Sequence, residues 1–324
     1  MLPDQRVKIE VVTADALAFD TELLVLKHAQ VSLGVDAAAK QRLRLDQGMK
    51  LGAGNHLIVN GQPAVGAQKV VFLGVPPLQE FGYPEIRLFA RRAMALAGQE
   101  FPYVQEIALT LHGAGYGLDE IACFDAELGG LVDAVRLKTV PTSLERVVIL
   151  EADVGRADRL RQYLDGTFAN QHGSTTLTVS ARDGAGANGL RTEPAVSADR
   201  QHAFVAMPFA EEFEDRFHYG IQPSVHACGL LCERIDQEVF TGDVVSRVKQ
   251  KIRSASLVVA DLTGANPNVY LEVGFAWAAE VPTVLLRHRG SDLKFDVQGE
   301  RCLEYTTIQD LESRLTKELR ELRR

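Results

Sequence analysis

The stretch whose reading decides the fold is Leu257 to Ala279, LVVADLTGANPNVYLEVGFAWAA. Leu257, Val258, Val259 and Ala260 form an apolar run that stops at Asp261, the pattern of a parallel strand buried on both faces. Thr263, Gly264, Ala265, Asn266, Pro267 and Asn268 make a turn-rich crossing, with Asn and Pro placed to end one element and cap the next. An apolar helix is predicted over Val269 to Ala279, and Glu272 is its one charge. A lone carboxylate one turn into such a helix is costly unless it faces a cavity or meets a partner. In open α/β sheets, ligands sit at that end of the strands. The plain alternative points Glu272 to solvent near the helix N-terminus, where the macrodipole favours negative charge. Spacing alone leaves both readings open.

On either side of this stretch the C-terminal half alternates strands and helices. Strands are predicted at His202 to Met207, Leu230 to Ile235, Thr283 to Leu286 and Cys302 to Tyr305. Helices are predicted at Glu211 to Cys228, Asp243 to Arg253 and Ile308 to Leu322. Repeated βα units of this kind imply a five-stranded parallel sheet wound on both faces. Phe209, Asp236 and Asp261 then fall at strand C-termini, where a small-molecule cleft belongs. Each has an ordinary structural reading as core, cap or turn brace, and Asn266 and Asn268 are equally turn formers. Their convergence with Glu272 is what favours a site.

At 324 residues the chain has room for two domains. Hydrophobic residues make up 46% and charged residues 24%, an ordinary globular balance. A net charge of -8 argues against a binder of nucleic-acid backbone, which carries a basic footprint. No apolar run approaches the roughly 20 residues of a membrane helix, and the first residues lack the layout of a signal peptide. Cys123, Cys228, Cys232 and Cys302 are scattered, with no spacing that suits a metal site, and read as reduced thiols of a cytoplasmic protein.

The N-terminal half also alternates. Strands are predicted at Val7 to Val12, Glu22 to Leu26, His56 to Val59, Lys69 to Val75, Glu106 to Leu111 and Arg146 to Leu150. Helices are predicted at Val35 to Leu45 with Lys40, Arg42 and Arg44 exposed, Glu85 to Ala97, Asp119 to Leu137 and Arg156 to Leu164. Between a strand and a helix lies Gly113-Ala114-Gly115-Tyr116-Gly117. Three glycines there permit a tight turn and offer N–H groups to an anion. The spacing is not that of a dinucleotide fingerprint, and a turn serving chain reversal alone remains open. From Phe168 to Arg200 the composition shifts to Gly, Ala, Ser, Thr and Asn, as in a linker, with one short strand at Thr175 to Val179. The expected division is residues 1–167, a linker over 168–200, and residues 201–324.

Two resemblances bear on function. The LTLHGAGYGLDE loop, with the strand order around it over about residues 5 to 165, resembles a macro domain or the N-terminal domain of leucyl aminopeptidases. That resemblance implies a mixed sheet with helices, and for macro domains it implies that residues 113 to 117 hold the diphosphate of ADP-ribose or a related nucleotide. The segments FVAMPF and DLTGANPNVYLEVGFAWA, within residues 202 to 305, resemble a prokaryotic TIR-like family related to the nucleoside 2-deoxyribosyltransferases. It departs from relatives at Leu271, where an aromatic often precedes the Glu, while the Glu272-Val273-Gly274 spacing is kept. This resemblance implies cleavage of an N-glycosidic bond at a ribose C1, with Glu272 as the catalytic carboxylate. Phe209, Asp236, Asp261, Asn266, Asn268 and Tyr270 are then expected around the substrate. The implied activity is NAD glycohydrolase of TIR-like type in bacterial antiphage defence, regulated by a nucleotide on the N-terminal domain and acting as a homo-oligomer. NAD is substrate, and no cofactor or metal is expected. The alternatives are a nucleoside or nucleotide N-glycosidase or deoxyribosyltransferase, and a non-enzymatic module that binds a nucleotide or self-associates.

Overall fold

A computed structural model describes residues 5–29, 34–46, 49–78, 80–167, 174–179, 201–235, 242–291, 293–294, 297 and 299–323. The chain divides into two compact units, both mixing α and β. One contains residues 5–113 and 121–179, and the other contains residues 114–120 and 201–323.

The first unit is a seven-stranded sheet of β1 (Gln5–Thr13), β2 (Leu23–His28), β3 (His56–Asn60), β4 (Lys69–Gly74), β5 (Glu106–Thr110), β6 (Arg146–Glu151) and β7 (Ser174–Val179). The spatial order is β3-β4-β2-β5-β6-β1-β7. The interior pairs are parallel and the outermost strands β3 and β7 are antiparallel. Near-continuous apolar runs such as Val147 to Leu150 suit strands covered on both faces, and these residues are buried. The short strand read inside the connecting segment is β7, which pairs with β1. Residues 168–173 and 180–200 of that segment lie outside the described residues.

The helices of this unit are α1 (Gly34–Arg42), α2 (Tyr83–Glu100), α3 (Glu120–Arg136) and α4 (Val154–Thr167). In α2, Ile86, Phe89, Ala90, Ala93, Met94 and Ala97 are buried at helical spacing. Arg87 reaches from α2 to Asp133 on α3 in a two-pronged ion pair of 2.7 and 2.8 Å. One expectation fails: Lys40 is only 1% exposed. The α1 periodicity places it outward, but it is enclosed in the field of Asp36, which itself pairs with Lys27 at 2.9 Å. Burial pushes its ammonium pKa down while Asp36 pushes it up.

The second unit has β8 (His202–Ala206), β9 (Leu231–Glu233), β10 (Leu257–Asp261), β11 (Thr283–His288) and β12 (Cys302–Tyr305), all parallel. The order β12-β11-β10-β8-β9 is that of a doubly wound flavodoxin-like sheet, and its topological switch point falls between β8 and β10. After β8 the chain forms a 3-10 turn (Glu211–Phe213), α5 (Glu214–Arg216), a π turn (Phe217–Ile221) and α6 (Gln222–His226). Then follow α7 (Gly242–Ser254), α8 (Pro267–Ala278) and α9 (Ile308–Leu322).

Strand alternation sorts the core. Ala203, Val205, Leu257 and Val259 face Ile221, Val225, Leu311, Leu315 and Leu319. Phe204, Ala206, Val258 and Ala260 face Val248, Ile252, Val269, Val273 and Ala276. Residues 114–120 group with this unit because they satisfy the backbone of edge strand β9 and the residues after it. Gly117 N donates to Arg234 O at 3.1 Å, and Asp119 accepts from Cys232 N at 2.9 Å.

Where α3 crosses α2, a Cβ on Gly130 would lie 2.2 Å from the carbonyl oxygen of Arg87. Gly130→Ala should therefore destabilise the first unit by about 1–3 kcal/mol, despite the ~1 kcal/mol gain in helix propensity. Urea denaturation followed by circular dichroism measures it, and an unchanged or raised midpoint would contradict the close crossing.

Candidate functional site

Strand β10 ends at the switch point, and a tight turn carries the chain into α8. Gly264 and Ala265 both adopt left-handed backbone, φ 81° and 52°, and Ala265 N donates to Leu262 O at 3.0 Å. Ala265 carries the steric cost of that conformation, as the handedness of L-residues requires. Asn266 is the N-cap of α8, its side chain accepting from Asn268 N at 2.9 Å, with Pro267 in the first turn. Asn266 and Asn268 are thus brought together as a cap.

Helix α8 buries Val269, Val273 and Ala276 against the sheet. Glu272 lies beside them and is 8% exposed, whereas Leu271 next to it is 72% exposed. The solvent-facing alternative for Glu272 is therefore excluded. No described residue forms a hydrogen bond or ion pair with its carboxyl group. Burial alone pushes its pKa up to about 8, which favours the neutral acid over the carboxylate. A positive charge brought against the group would restore the carboxylate.

The other acids sit differently. Asp261 is fully buried, and both its oxygens are occupied: Oδ1 accepts from Thr263 N at 3.0 Å and Oδ2 from the Tyr305 hydroxyl at 2.7 Å. It lies on the α9 side of β10, in alternation with Val259, while α8 packs on the opposite face. Strand alternation turns Asp261 away from α8. Asp236 lies outside the described residues.

Phe209 is half-buried just beyond β8. The ring brought against the crossing is Phe213, since a Cβ on Gly264 would lie 3.5 Å from its Cζ. Tyr270 is half-buried, and its hydroxyl accepts from Lys294 N at 3.2 Å. Reading the sequence placed Thr263 in the crossing but missed Phe213 and Tyr305. Tyr305 carried one usable signal, its place as the last residue of a strand. Gly113, Gly115 and Gly117 all have left-handed backbone, with φ of 88°, 78° and 86°. The N–H of Gly117 is committed to Arg234 O, and Tyr116 pairs with Ile235. Among the described residues no cluster of three or more His, Cys, Asp or Glu side chains is placed to hold a metal ion. No described helix is long and apolar enough to cross a membrane.

No protein-family model and no curated protein matches the chain. Among solved structures, the Oceanobacillus iheyensis macrodomain with MES bound is 14% identical, covering 50% of this chain and 97% of that one at a TM-score of 0.40. The Trypanosoma brucei macrodomain in complex with ADP-ribose is 15% identical, covering 48% of this chain and 68% of that one at 0.40. A CMP N-glycosidase from Clostridium botulinum, BcmB, is 16% identical, covering 36% of this chain and 99% of that one at 0.31. The architecture described above stands on the chain's own strand order and register.

The buried acid has a stability signature. The folded pKa of Glu272 is raised above that of an unfolded carboxyl, so between pH ~4.3 and the folded value the native state binds the extra proton. Its contribution is fully present below the unfolded value and is lost as pH rises to about 8. Glu272→Gln removes this dependence. Relative to the native chain, the variant should gain stability steadily from pH 5 to 8 and no further above, as read from urea midpoints. A pH-independent difference would contradict the buried, unpaired carboxyl.

Proposed function

We propose that the second unit hydrolyses an N-glycosidic bond at a ribose C1, with NAD as substrate and Glu272 as the working carboxylate. The observation that carries this reading is a lone, enclosed carboxyl on the helix leaving the switch-point strand. Cleavage there passes through an oxocarbenium-like state, and an acid beneath C1 stabilises that charge or attacks it. Water completes the reaction, giving ADP-ribose, nicotinamide and a proton.

The same geometry favours a cationic leaving group. A neutral base must be protonated as it departs. Of the two acids the sequence offers for that task, Asp261 uses both oxygens as acceptors. In NAD the nicotinamide is bonded as a pyridinium and departs as the neutral pyridine, so it needs no such donor. The pyridinium charge also draws Glu272 toward the ionised form that the chemistry requires. On this reading a nucleotide signal is held by residues 113 to 117. The antiphage setting and the homo-oligomer follow from the TIR-like resemblance.

Incubation of the full chain with NAD, with and without candidate nucleotide signals, tests the proposal by nicotinamide release. Glu272→Gln should lower release by at least about a hundredfold. The kcat/KM profile should rise to a limb near the Glu272 pKa of about 8 in the free protein, and the kcat limb should lie lower. Base release from nucleosides or nucleotides, without nicotinamide release, would move the activity to the other N-glycosidase class. Silence with every substrate and signal would overturn catalysis.

A further inference from the structure

The carboxyl edge of the second sheet contains a directed hydrogen-bond chain that involves neither α8 nor Glu272. The His288 backbone N–H donates to Thr263 Oγ1 at 2.9 Å. Thr263 Oγ1 lies 3.3 Å from the Tyr305 hydroxyl, and that hydroxyl donates to Asp261 Oδ2 at 2.7 Å. Since the Tyr305 proton goes to Asp261, the Thr263 hydroxyl must donate to Tyr305. Every proton in the chain therefore points toward the Asp261 carboxylate, whose other oxygen holds Thr263 N at 3.0 Å. The groups are enclosed: Tyr305 is 1% exposed, Asp261 0% and Thr263 8%. Burial and the adjacent Asp261 charge push the Tyr305 hydroxyl upward, so it stays a donor.

This chain ties the ends of β10, β11 and β12 and grips Thr263 by both its backbone N–H and its side chain. Thr263 is the first residue of the crossing that passes through Gly264, Ala265 and the Asn266 cap into α8. The left-handed pair at Gly264 and Ala265 is not the chain's preferred state. A surrounding network must hold it, and a fully satisfied polar network in a dry setting is stiff.

We propose that Tyr305 is a positioning residue for the Glu272 site: its hydroxyl locks the Asp261–Thr263 turn and so fixes where α8 presents its carboxyl group. Tyr305 touches no reacting atom in this account. The inference rests on Glu272 being the working carboxylate, and the experiment separates the two.

In the full chain, Tyr305→Phe keeps the ring that packs in the core and removes only the hydroxyl. Thr263→Val breaks the same chain one link earlier, and Thr263→Ser retains it. Two quantities are measured: NAD turnover, and the Glu272 titration midpoint by carbon-13 NMR of labelled glutamate carboxyls, assigned with Glu272→Gln. Tyr305→Phe and Thr263→Val should lower kcat about tenfold while KM stays within about twofold, since small misplacements act on the reacting geometry. The Glu272 midpoint should fall in both variants as α8 loosens and the carboxyl gains water, and Thr263→Ser should match the native chain. Unchanged midpoints in both variants overturn the proposal, whatever kcat does. If the native chain releases no nicotinamide, the glycohydrolase reading falls while the midpoint still decides the role of Tyr305. Should Tyr305→Phe fail to fold, the Thr263 pair decides it.

Discussion

A carboxylate enclosed at the end of a central parallel strand must find donors, because water cannot reach it and an uncompensated charge there costs several kcal/mol. The carboxyl edge of the second sheet is arranged around that demand at Asp261. Its two oxygens fix the first turn after β10 and draw the Tyr305 and Thr263 hydroxyls into one orientation. That turn carries the two left-handed residues, and the Asn266 cap and Pro267 then start α8. The position of Glu272 follows from where that helix begins.

The two acids flanking this crossing are solved in opposite ways. Asp261 is surrounded by donors and serves as a fixed negative end for the polar chain. Glu272 is enclosed among apolar neighbours, has no partner among the described residues, and its pKa rises to about 8.

The elements themselves were largely legible in the sequence. Apolar runs ended by Asp, Pro or Gly marked the parallel strands, and helical periodicity marked α2, α3 and α9 within a few residues of their observed ends. Lys40 was misread because periodicity reports the face of a helix and is blind to the field of a nearby acid such as Asp36. Segment 114–120 was read as an anion-holding glycine loop or a chain-reversing turn leading into a helix, since nothing local says that Gly117 N and Asp119 satisfy backbone groups of Arg234 and Cys232.

The sequence by itself determined two alternating α/β regions and one isolated carboxylate at the start of an apolar helix, because strand and helix periods and turn residues are local properties. Only the tertiary structure decided that Glu272 is enclosed without a partner, that Asp261 is turned to the other face of its strand, and that Tyr305 holds it. Those facts depend on strand order and on which face each residue takes. They are set by packing between segments far apart in the chain, where no local pattern carries the information.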